Sequence, residues 1–236
     1  MAWKQNIIED FKQLVSFDSI SFHERNTADW LLARLKSMGF SVEEDQAGAY
    51  YGGDTGNIFA VLDGELEGDP VIFCTHMDVV EPGSGKKSIL DKDGTIHSAG
   101  DTVLGADDIS GILEILYGVQ LVIDSGKPHK KIEILFTIGE ELYVKGSDVF
   151  DYSKVTAKQA YVLDLSEETT FNIGTIQGGT ATNIVPDCCV LTAYETTLES
   201  KSVTDFQKAC EILGFSGGLT GTFGGSDNNS FAKNGI

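Results

Sequence analysis

Basic residues are scarce in this chain. Its 236 residues include 17 lysines and arginines against 36 aspartates and glutamates, which gives a formal net charge of -19. A surface this acidic repels phosphate backbones, so nucleic acid is not an expected partner. The acidic residues are spread along the chain instead of being gathered in a tail. Most of them are therefore expected to form a solvated surface.

Long apolar runs and paired cysteines are lacking as well. No run is long enough to span a bilayer, and the first ten residues lack the apolar core of an export signal. The cysteines form no CxxC pair and suggest no disulfide framework. A buried or idle thiol is the expected state of each of the four: Cys74, Cys188, Cys189 and Cys210. These absences favour a reducing cytoplasm, with no membrane partner.

Helix and strand patterns alternate over the first two thirds of the chain. Apolar residues at helical spacing predict helices over 4–17, 27–38 and 106–123. Short apolar runs predict strands over 40–44, 57–62, 71–75, 132–138 and 159–164. This alternation predicts an α/β fold whose central, mostly parallel sheet is covered on both faces. Further on, strands are expected over 170–177 and 181–195 and a short helix over 203–213.

Acidic residues and one histidine stand where predicted strands end or where the long helix begins. The set comprises His76, Asp78, Asp107, Asp108, Glu140, Glu141 and Asp164. Ligands of α/β folds lie outside the carboxyl ends of the strands, so one edge of the sheet is expected to gather these groups. Carboxylates and an imidazole can hold divalent metals, and a further glutamate can act as a base. The pattern therefore favours metal-assisted hydrolysis.

Each group also has an ordinary structural explanation. A histidine that ends a buried strand could be a satisfied structural group, although Asp78 is spaced to accept the ring N–H of His76. The acidic pair at 107–108 could interact with a helix dipole, and the pair at 140–141 could lie in a surface loop. Asp164 could simply close a turn. Only the ordered combination favours a functional site over these alternatives.

Six segments in a fixed order carry a family resemblance. They are THMDVV from Thr75, LGADDISG from Leu104, TIGEEL from Thr137, YVLD from Tyr161, GGTATNIVPD from Gly178 and GGSDNNSF from Gly224. Together they resemble the co-catalytic zinc peptidase superfamily that includes aminoacylase, glutamate carboxypeptidases and peptidase T. The resemblance is closest to the peptidase T-like branch and spans most of the chain. It implies a three-layer catalytic domain of the zinc-exopeptidase type.

The resemblance also implies the metal ligands. His76 and Asp164 are similar to ligands of one zinc ion, and Asp107 is similar to the carboxylate that bridges two ions. Glu141 resembles a ligand of the second zinc. Two zinc ions per chain are therefore expected in the complete protein.

Further roles follow from the same resemblance. Glu140 is similar to the general base, and Asp78 to the carboxylate that orients His76. Four more residues resemble segments that shape the substrate pocket, although ordinary turn chemistry remains an alternative for them: Asn183, Ser226, Asp227 and Asn228.

The sequence departs from the family pattern after Asp164. Family members insert a lid there, which is often the dimerising part, and both halves of it look shortened in this sequence. The family's final histidine ligand follows the GGSD segment, whereas this sequence stops at Ile236. The expected domains are a first catalytic part over 1–166, strands adjoining the lid over 167–195, and a second catalytic part, truncated before the final ligand segment, over 196–236.

The resemblance implies a zinc-dependent exopeptidase that acts on short peptides, with a tripeptide aminopeptidase as the favoured activity. An N-acyl amino acid amidase or a carboxypeptidase of the same superfamily stays open, because the metal centre does not choose between them. A non-catalytic binding protein with an incomplete metal centre also stays open. The missing histidine favours it, and the pair at 140–141 disfavours it because a binder needs no base. The implied partners are a short peptide and a second copy bound through the lid.

Overall fold

The computed structural model describes residues 2–164 and 227–236, together with positions 205, 208, 209 and 212. The strands expected over 170–177 and 181–195 lie outside these described residues. Contacts divide the chain into one unit of Met1–Asp164 with Ser226–Ile236 and another of Leu165–Gly225. The first unit contains the residues that matter for the candidate site, and it alone is described below.

A five-stranded mixed sheet forms the centre of the first unit. The described strands are β1 (Ser41–Glu44), β2 (Ile58–Leu62), β3 (Val71–His76), β4 (Ser88–Leu90), β5 (Ile96–Ser98), β6 (Ile132–Thr137) and β7 (Ala160–Val162). The order in the central sheet is β1-β2-β6-β3-β7. Strand β3 runs parallel to β6 and β7, whereas β2 runs antiparallel to β1 and β6. The expected α/β fold is confirmed, but the described sheet is mixed and not mostly parallel, because β1 and β2 form an antiparallel half beside the parallel strands β6, β3 and β7.

The helices flank this sheet. They are α1 (Ala2–Val15), α2 (Arg25–Ser37), α3 (Ala47–Tyr51), α4 (Ala106–Asp124), α5 (Lys145–Val149) and α6 (Asn228–Lys233). The three helices predicted before residue 124 are confirmed with small shifts at their ends. Helix α2 ends at Ser37, shortly before Gly39, whose φ of 93° suits a residue without a side chain. Within the described ranges, no helix has the length and apolar character needed to cross a membrane.

Apolar side chains cover both faces of the sheet. In β6 the fully buried Ile134 and Phe136 join the cluster formed with α1, α2 and α4, whereas Leu135 between them joins a second cluster. This division follows from the two-residue repeat of a strand. The second cluster includes Phe231 of α6 and the buried free thiol of Cys74, so the expected buried thiol is confirmed at that position.

Three elements differ from the sequence prediction. Strands β4 and β5 form an antiparallel hairpin over 88–98 that the sequence patterns do not predict, with His97 in β5. The turn-rich composition is explained by the connection between two very short strands. Helix α6 lies in a tail without helical periodicity, since a six-residue helix is too short to establish one. The helix predicted from residue 106 also has an irregular start, which belongs to the candidate site.

Removing side-chain volume from the centre of the sheet should destabilise the first unit. Ile134→Ala is expected to cost about 2–5 kcal/mol in the free energy of unfolding, because Ile134 is fully buried and its loss leaves a cavity. The matched change Ile89→Ala removes the same atoms from a residue that is 42% exposed and should cost less than about 0.5 kcal/mol. Urea unfolding measures both. Equal losses would contradict the described core.

Candidate metal centre

Four of the predicted residues meet at one edge of the sheet. His76, Glu140 and Asp164 each offer a ligand atom, and these atoms lie within 4.8 Å of one another. Nε2 of His76 also lies 3.6 Å from Oδ1 of Asp107 and 4.0 Å from Oδ1 of Asp164. The cause is the parallel alignment of β3, β6 and β7, because their carboxyl ends share this edge.

Asp78 orients the imidazole of His76 through two oxygens. Nδ1 of His76 lies 3.0 Å from the main-chain oxygen of Asp78 and 3.3 Å from its carboxylate Oδ1. The main-chain oxygen, which the sequence did not point to, is the closer acceptor. A proton on Nδ1 fits both contacts and leaves Nε2 free to face Asp107 and Asp164. This is the tautomer that a metal-binding histidine requires.

Asp107 and Asp108 play different roles. Asp107 and Asp108 have non-helical φ/ψ angles and are joined by a cis peptide bond, so regular helix begins only after them. The helix expected over 106–123 is therefore present, and the acidic pair stands directly before its regular turns. Asp108 accepts hydrogen bonds from Oγ1 of Thr75 and, at 3.2 Å, from the backbone N–H of Gly111. Asp108 thus accepts a hydrogen bond from the first turn of the helix, whereas the side chain of Asp107 faces His76.

Oδ1 of Asp107 is an oxygen whose surroundings suit a cation. It is buried and has no hydrogen-bond partner, since the 3.6 Å that separates it from Nε2 of His76 is too long for a hydrogen bond. An unpaired carboxylate oxygen in such a position is costly. Donor atoms that share one zinc ion at about 2 Å lie about 3–4 Å apart. The residues present therefore fit a divalent cation between His76, Asp107 and Asp164.

The loop after β6 carries the two predicted glutamates. Glu140 is buried and belongs to the cluster, whereas Glu141 is half-buried and is not part of that group. Asp78 holds this loop, because its Oδ1 accepts the N–H of Glu140 at 3.0 Å and its Oδ2 accepts the N–H of Glu141 at 3.2 Å. A third hydrogen bond comes from Oγ of Ser21 at 2.6 Å. Asp78 is therefore a structural link between the histidine and the loop.

Burial and crowded negative charge dominate the electrostatics of the site. Burial raises the pKa of Glu140 to about 9, and the charges of Asp164, Asp227 and Asp78 act in the same direction against the opposing effect of His76. Burial similarly raises the pKa of Asp108 to about 7. This edge of the sheet therefore favours the uptake of positive charge, as protons or as a metal ion.

The pKa of His76 shifts for the complementary reason. Burial alone would lower it, but the contacts with Asp107 and Asp78 and the surrounding carboxylate charges outweigh burial and raise it well above its ordinary value. For Asp78, burial is likewise outweighed, here by His76 and the donors from Ser21 and Glu140, so the pKa of Asp78 is lowered. The two side chains stabilise each other's charge.

The four residues predicted to shape a substrate pocket are only partly described. Asn183 and Ser226 lie outside the described residues, and Asn228 begins α6. Asp227 is buried, and its Oδ2 accepts hydrogen bonds from Oγ1 of Thr137 and from Sγ of Cys74. It therefore ties the C-terminal segment to β6 and β3. A role for these four residues in substrate binding stays a prediction.

Glu24 is a residue of this region that the sequence pattern did not reveal. Its side chain is fully buried, and Oε1 accepts the N–H groups of Phe22 at 2.8 Å and of Gly139 at 3.0 Å. Burial first, and the charge of Asp78 second, raise the pKa of Glu24 to about 8. The only signal in the sequence is a glutamate directly before a helix, which is common at helix N-termini.

Comparison with known families supports the resemblance. A family model described as the peptidase dimerisation domain of the M20 peptidases matches residues 131–211. Peptidase T of Clostridium acetobutylicum is 30% identical over 68% of this chain and 48% of its own length. The chain spans 65% or less of the length of the curated relatives compared with it, and 48% of the peptidase T of Clostridium acetobutylicum.

Solved structures give a similar result. The aminopeptidase PepT of Bacillus cereus aligns over 98% of this chain and 88% of its own, with a TM-score of 0.79 and 26% identity. A tripeptidase of Staphylococcus aureus aligns over 69% of this chain and 43% of its own, with a TM-score of 0.65 and 30% identity. The chain is thus similar to peptidases in sequence and in fold.

Loss of the imidazole should weaken metal binding. His76→Ala is expected to lower the affinity for a divalent cation by about tenfold or more, because it removes a ligand that Asp78 holds in the binding orientation. Zn²⁺ titration of metal-free protein by calorimetry measures the change. His97→Ala is the matched control, since His97 is 47% exposed and paired with Asp91. An unchanged affinity in His76→Ala would contradict the proposed ligand set.

The shifted pKa of Glu24 predicts a pH dependence of stability. The folded pKa of about 8 exceeds the ordinary 4.5, so the folded state binds the proton more tightly. The resulting stability is complete below about pH 4.5 and is lost as the pH rises towards 8. Glu24→Gln should flatten this loss in metal-free protein, as measured by urea unfolding from pH 5 to pH 8. Parallel curves for the two proteins would refute the shift.

Proposed function

We propose that the chain is a zinc-dependent aminopeptidase of the peptidase T-like branch of the M20 peptidases, and that it hydrolyses short peptides with tripeptides as the favoured substrates. The observation that carries the proposal is the convergence of His76, Asp107, Glu140 and Asp164 at one edge of the sheet. The relatives named peptidase T and tripeptidase support the substrate class.

The proposed metal ligands follow from the chemistry of the donor atoms. His76, Asp107 and Asp164 would hold one zinc ion, and Glu141 together with Asp107 would hold a second. Bound zinc supplies a Lewis acid that polarises a peptide carbonyl and eases the loss of a proton from water. Asp78 keeps the imidazole of His76 in the ligating orientation through its contacts with Nδ1.

Glu140 is proposed as the group that moves the proton. Its carboxylate takes a proton from the attacking water as the new C–O bond forms at the peptide carbonyl. It then gives that proton to the leaving nitrogen as the C–N bond breaks. Its position supports this role, because a carboxylate oxygen of Glu140 lies within 4.8 Å of the ligand atoms offered by His76 and Asp164. The hydrogen bond from the N–H of Glu140 to Asp78 fixes the main chain from which the Glu140 side chain projects.

Other features of the proposal rest on the family. Dimerisation through the lid is supported by the match to the peptidase dimerisation domain over residues 131–211. A cytoplasmic location is proposed because the spacing of the cysteines in the sequence suggests no disulfide framework. An N-acyl amino acid amidase or a carboxypeptidase would use the same metal ligands, so these activities are outcomes that the substrate assay distinguishes.

Replacing the proposed base should abolish most turnover without removing the metal. Glu140→Gln is expected to lower kcat for a tripeptide by about 10²–10⁴-fold, because the amide cannot accept the proton from water. Zinc content, measured by atomic emission, should stay close to that of the unchanged protein. Glu114→Gln is the matched control, since Glu114 is exposed on α4 and should leave kcat unchanged.

The same assay includes tripeptides with free and blocked N-termini and N-acetylated amino acids. Release of the N-terminal residue from free tripeptides alone supports an aminopeptidase. Cleavage of N-acetylated amino acids would show an amidase instead, and release of the C-terminal residue would show a carboxypeptidase. Full activity of Glu140→Gln would contradict its role as base, and hydrolysis of no substrate would contradict the proposal as a whole.

A further inference from the structure

We propose that Glu24 is a positioning residue for Glu140, which acts by fixing the main chain from which the base projects. The inference rests on the proposed function, since it assigns Glu140 the proton transfer. The described hydrogen bonds of the Glu24 side chain go to the main chain of Phe22 and Gly139, and none of them goes to a proposed metal ligand. Its effect would pass through the backbone N–H of Gly139, which directly precedes Glu140.

The loop that carries the base is held by two buried carboxylates. Three successive N–H groups, those of Gly139, Glu140 and Glu141, donate to Oε1 of Glu24 and to Oδ1 and Oδ2 of Asp78 at 3.0, 3.0 and 3.2 Å. Both carboxylate side chains are fully buried. Hydrogen bonds to buried acceptors are costly to break, and those to the ionised carboxylate of Asp78 are stronger than neutral ones. The loop is therefore fixed at each residue around the base.

The backbone of this loop needs such restraint. Gly139 has a φ of 57°, and Tyr143 and Val144 lie in the left-handed region with φ values of 67° and 52°. For residues other than glycine this conformation costs of order 1–3 kcal/mol each and persists only when the surroundings impose it. Interactions that hold the loop from the core side are thus expected to determine its conformation.

Glu24 also links this loop to the segment before α2. Its Oε1 accepts the N–H of Phe22 as well as that of Gly139, so one oxygen joins two chain segments. The ring of Phe22 lies directly against Gly139, where an added Cβ would come within 2.7 Å of Cε1. Loss of the Glu24 carboxylate would therefore release both the polar link and the close packing that it enforces.

A small displacement of the base is expected to affect turnover more than substrate binding. Misplacing a reacting group by about 1 Å can cost about 10²-fold in rate. Binding of the peptide does not require the Glu140 carboxylate to be in position for proton transfer. The expected signature is therefore a lower kcat at a nearly constant KM and zinc content, which a general loss of stability would not produce below the unfolding temperature.

The test compares Glu24→Ala, Glu24→Gln and a matched control. Glu133→Ala removes an equally buried carboxylate that accepts the N–H groups of Thr156 and Ala157 at 3.1 Å. Three readouts are taken on each full-length variant: zinc content, kcat and KM for a tripeptide, and amide hydrogen exchange of the segment 138–142. The exchange rate reports how strongly the N–H groups of the loop are hydrogen-bonded, and its measurement does not require an active enzyme.

Glu24→Ala is expected to accelerate exchange in 138–142 and to lower kcat by about 10–100-fold, with KM changed by less than about threefold. Glu24→Gln should restore both readouts, because its amide oxygen can accept the same two N–H groups. Glu133→Ala should lower the thermal midpoint while leaving exchange in 138–142 and kcat unchanged. If the alanine variant fails to fold, Glu24→Asp replaces it, since its shorter side chain withdraws the acceptor from Gly139.

Unchanged exchange in Glu24→Ala, or in Glu24→Asp where it replaces the alanine variant, would overturn the positioning role, whether or not the protein is active. Faster exchange at an unchanged kcat would overturn it too, because loosening the loop would then have no effect on the reaction. Equal losses of kcat in Glu24→Ala and Glu133→Ala would show that losing either buried carboxylate lowers kcat through a general loss of stability. That result would likewise contradict the inference. Failure of the unchanged protein to hydrolyse any peptide would instead contradict the proposed function, and exchange would still decide the hold on the loop.

Discussion

The burial of several carboxylates beside a single imidazole is the constraint on which the site depends. Buried negative charge is costly unless it is paired. Asp78 is stabilised by His76, Ser21 and two backbone N–H groups, and Asp108 by Thr75 and the beginning of α4. The remaining charge is gathered around Nε2 of His76, where Oδ1 of Asp107 lies 3.6 Å from the ring and accepts no hydrogen bond. The fold thus concentrates negative charge that a cation would stabilise, and it gathers donor atoms suited to zinc at the same place.

The sheet topology explains why this concentration of charge occurs where it does. Strands β3, β6 and β7 are parallel neighbours, so the residues that follow them emerge at the same edge. The apolar clusters on both faces fix the strands without using the polar residues at their ends. Stability and chemistry are therefore separated along each strand: apolar residues within it maintain the sheet, and the residue at or beyond its carboxyl end serves the site.

Much of this arrangement could be predicted from sequence because its causes are local. The apolar runs of β3 and β6 indicate strands, and His76 and Glu140 follow from their place after those runs. The conformation at Asp107 could not be predicted, since acidic residues before an apolar helix ordinarily indicate a regular helical start. The contact between Glu24 and Gly139 spans 115 positions, and no periodicity encodes a hydrogen bond across such a separation. Tertiary contacts of this kind decide how the site is held.

The most direct test of the account is to locate the metal. A crystal of the protein grown with zinc and measured at the zinc absorption edge should show an anomalous peak about 2.0–2.2 Å from Nε2 of His76 and from carboxylate oxygens of Asp107 and Asp164. Such a peak would show that the buried carboxylates and the imidazole share a cation. A structure in which this edge of the sheet stays free of metal in the presence of saturating zinc would contradict the central claim.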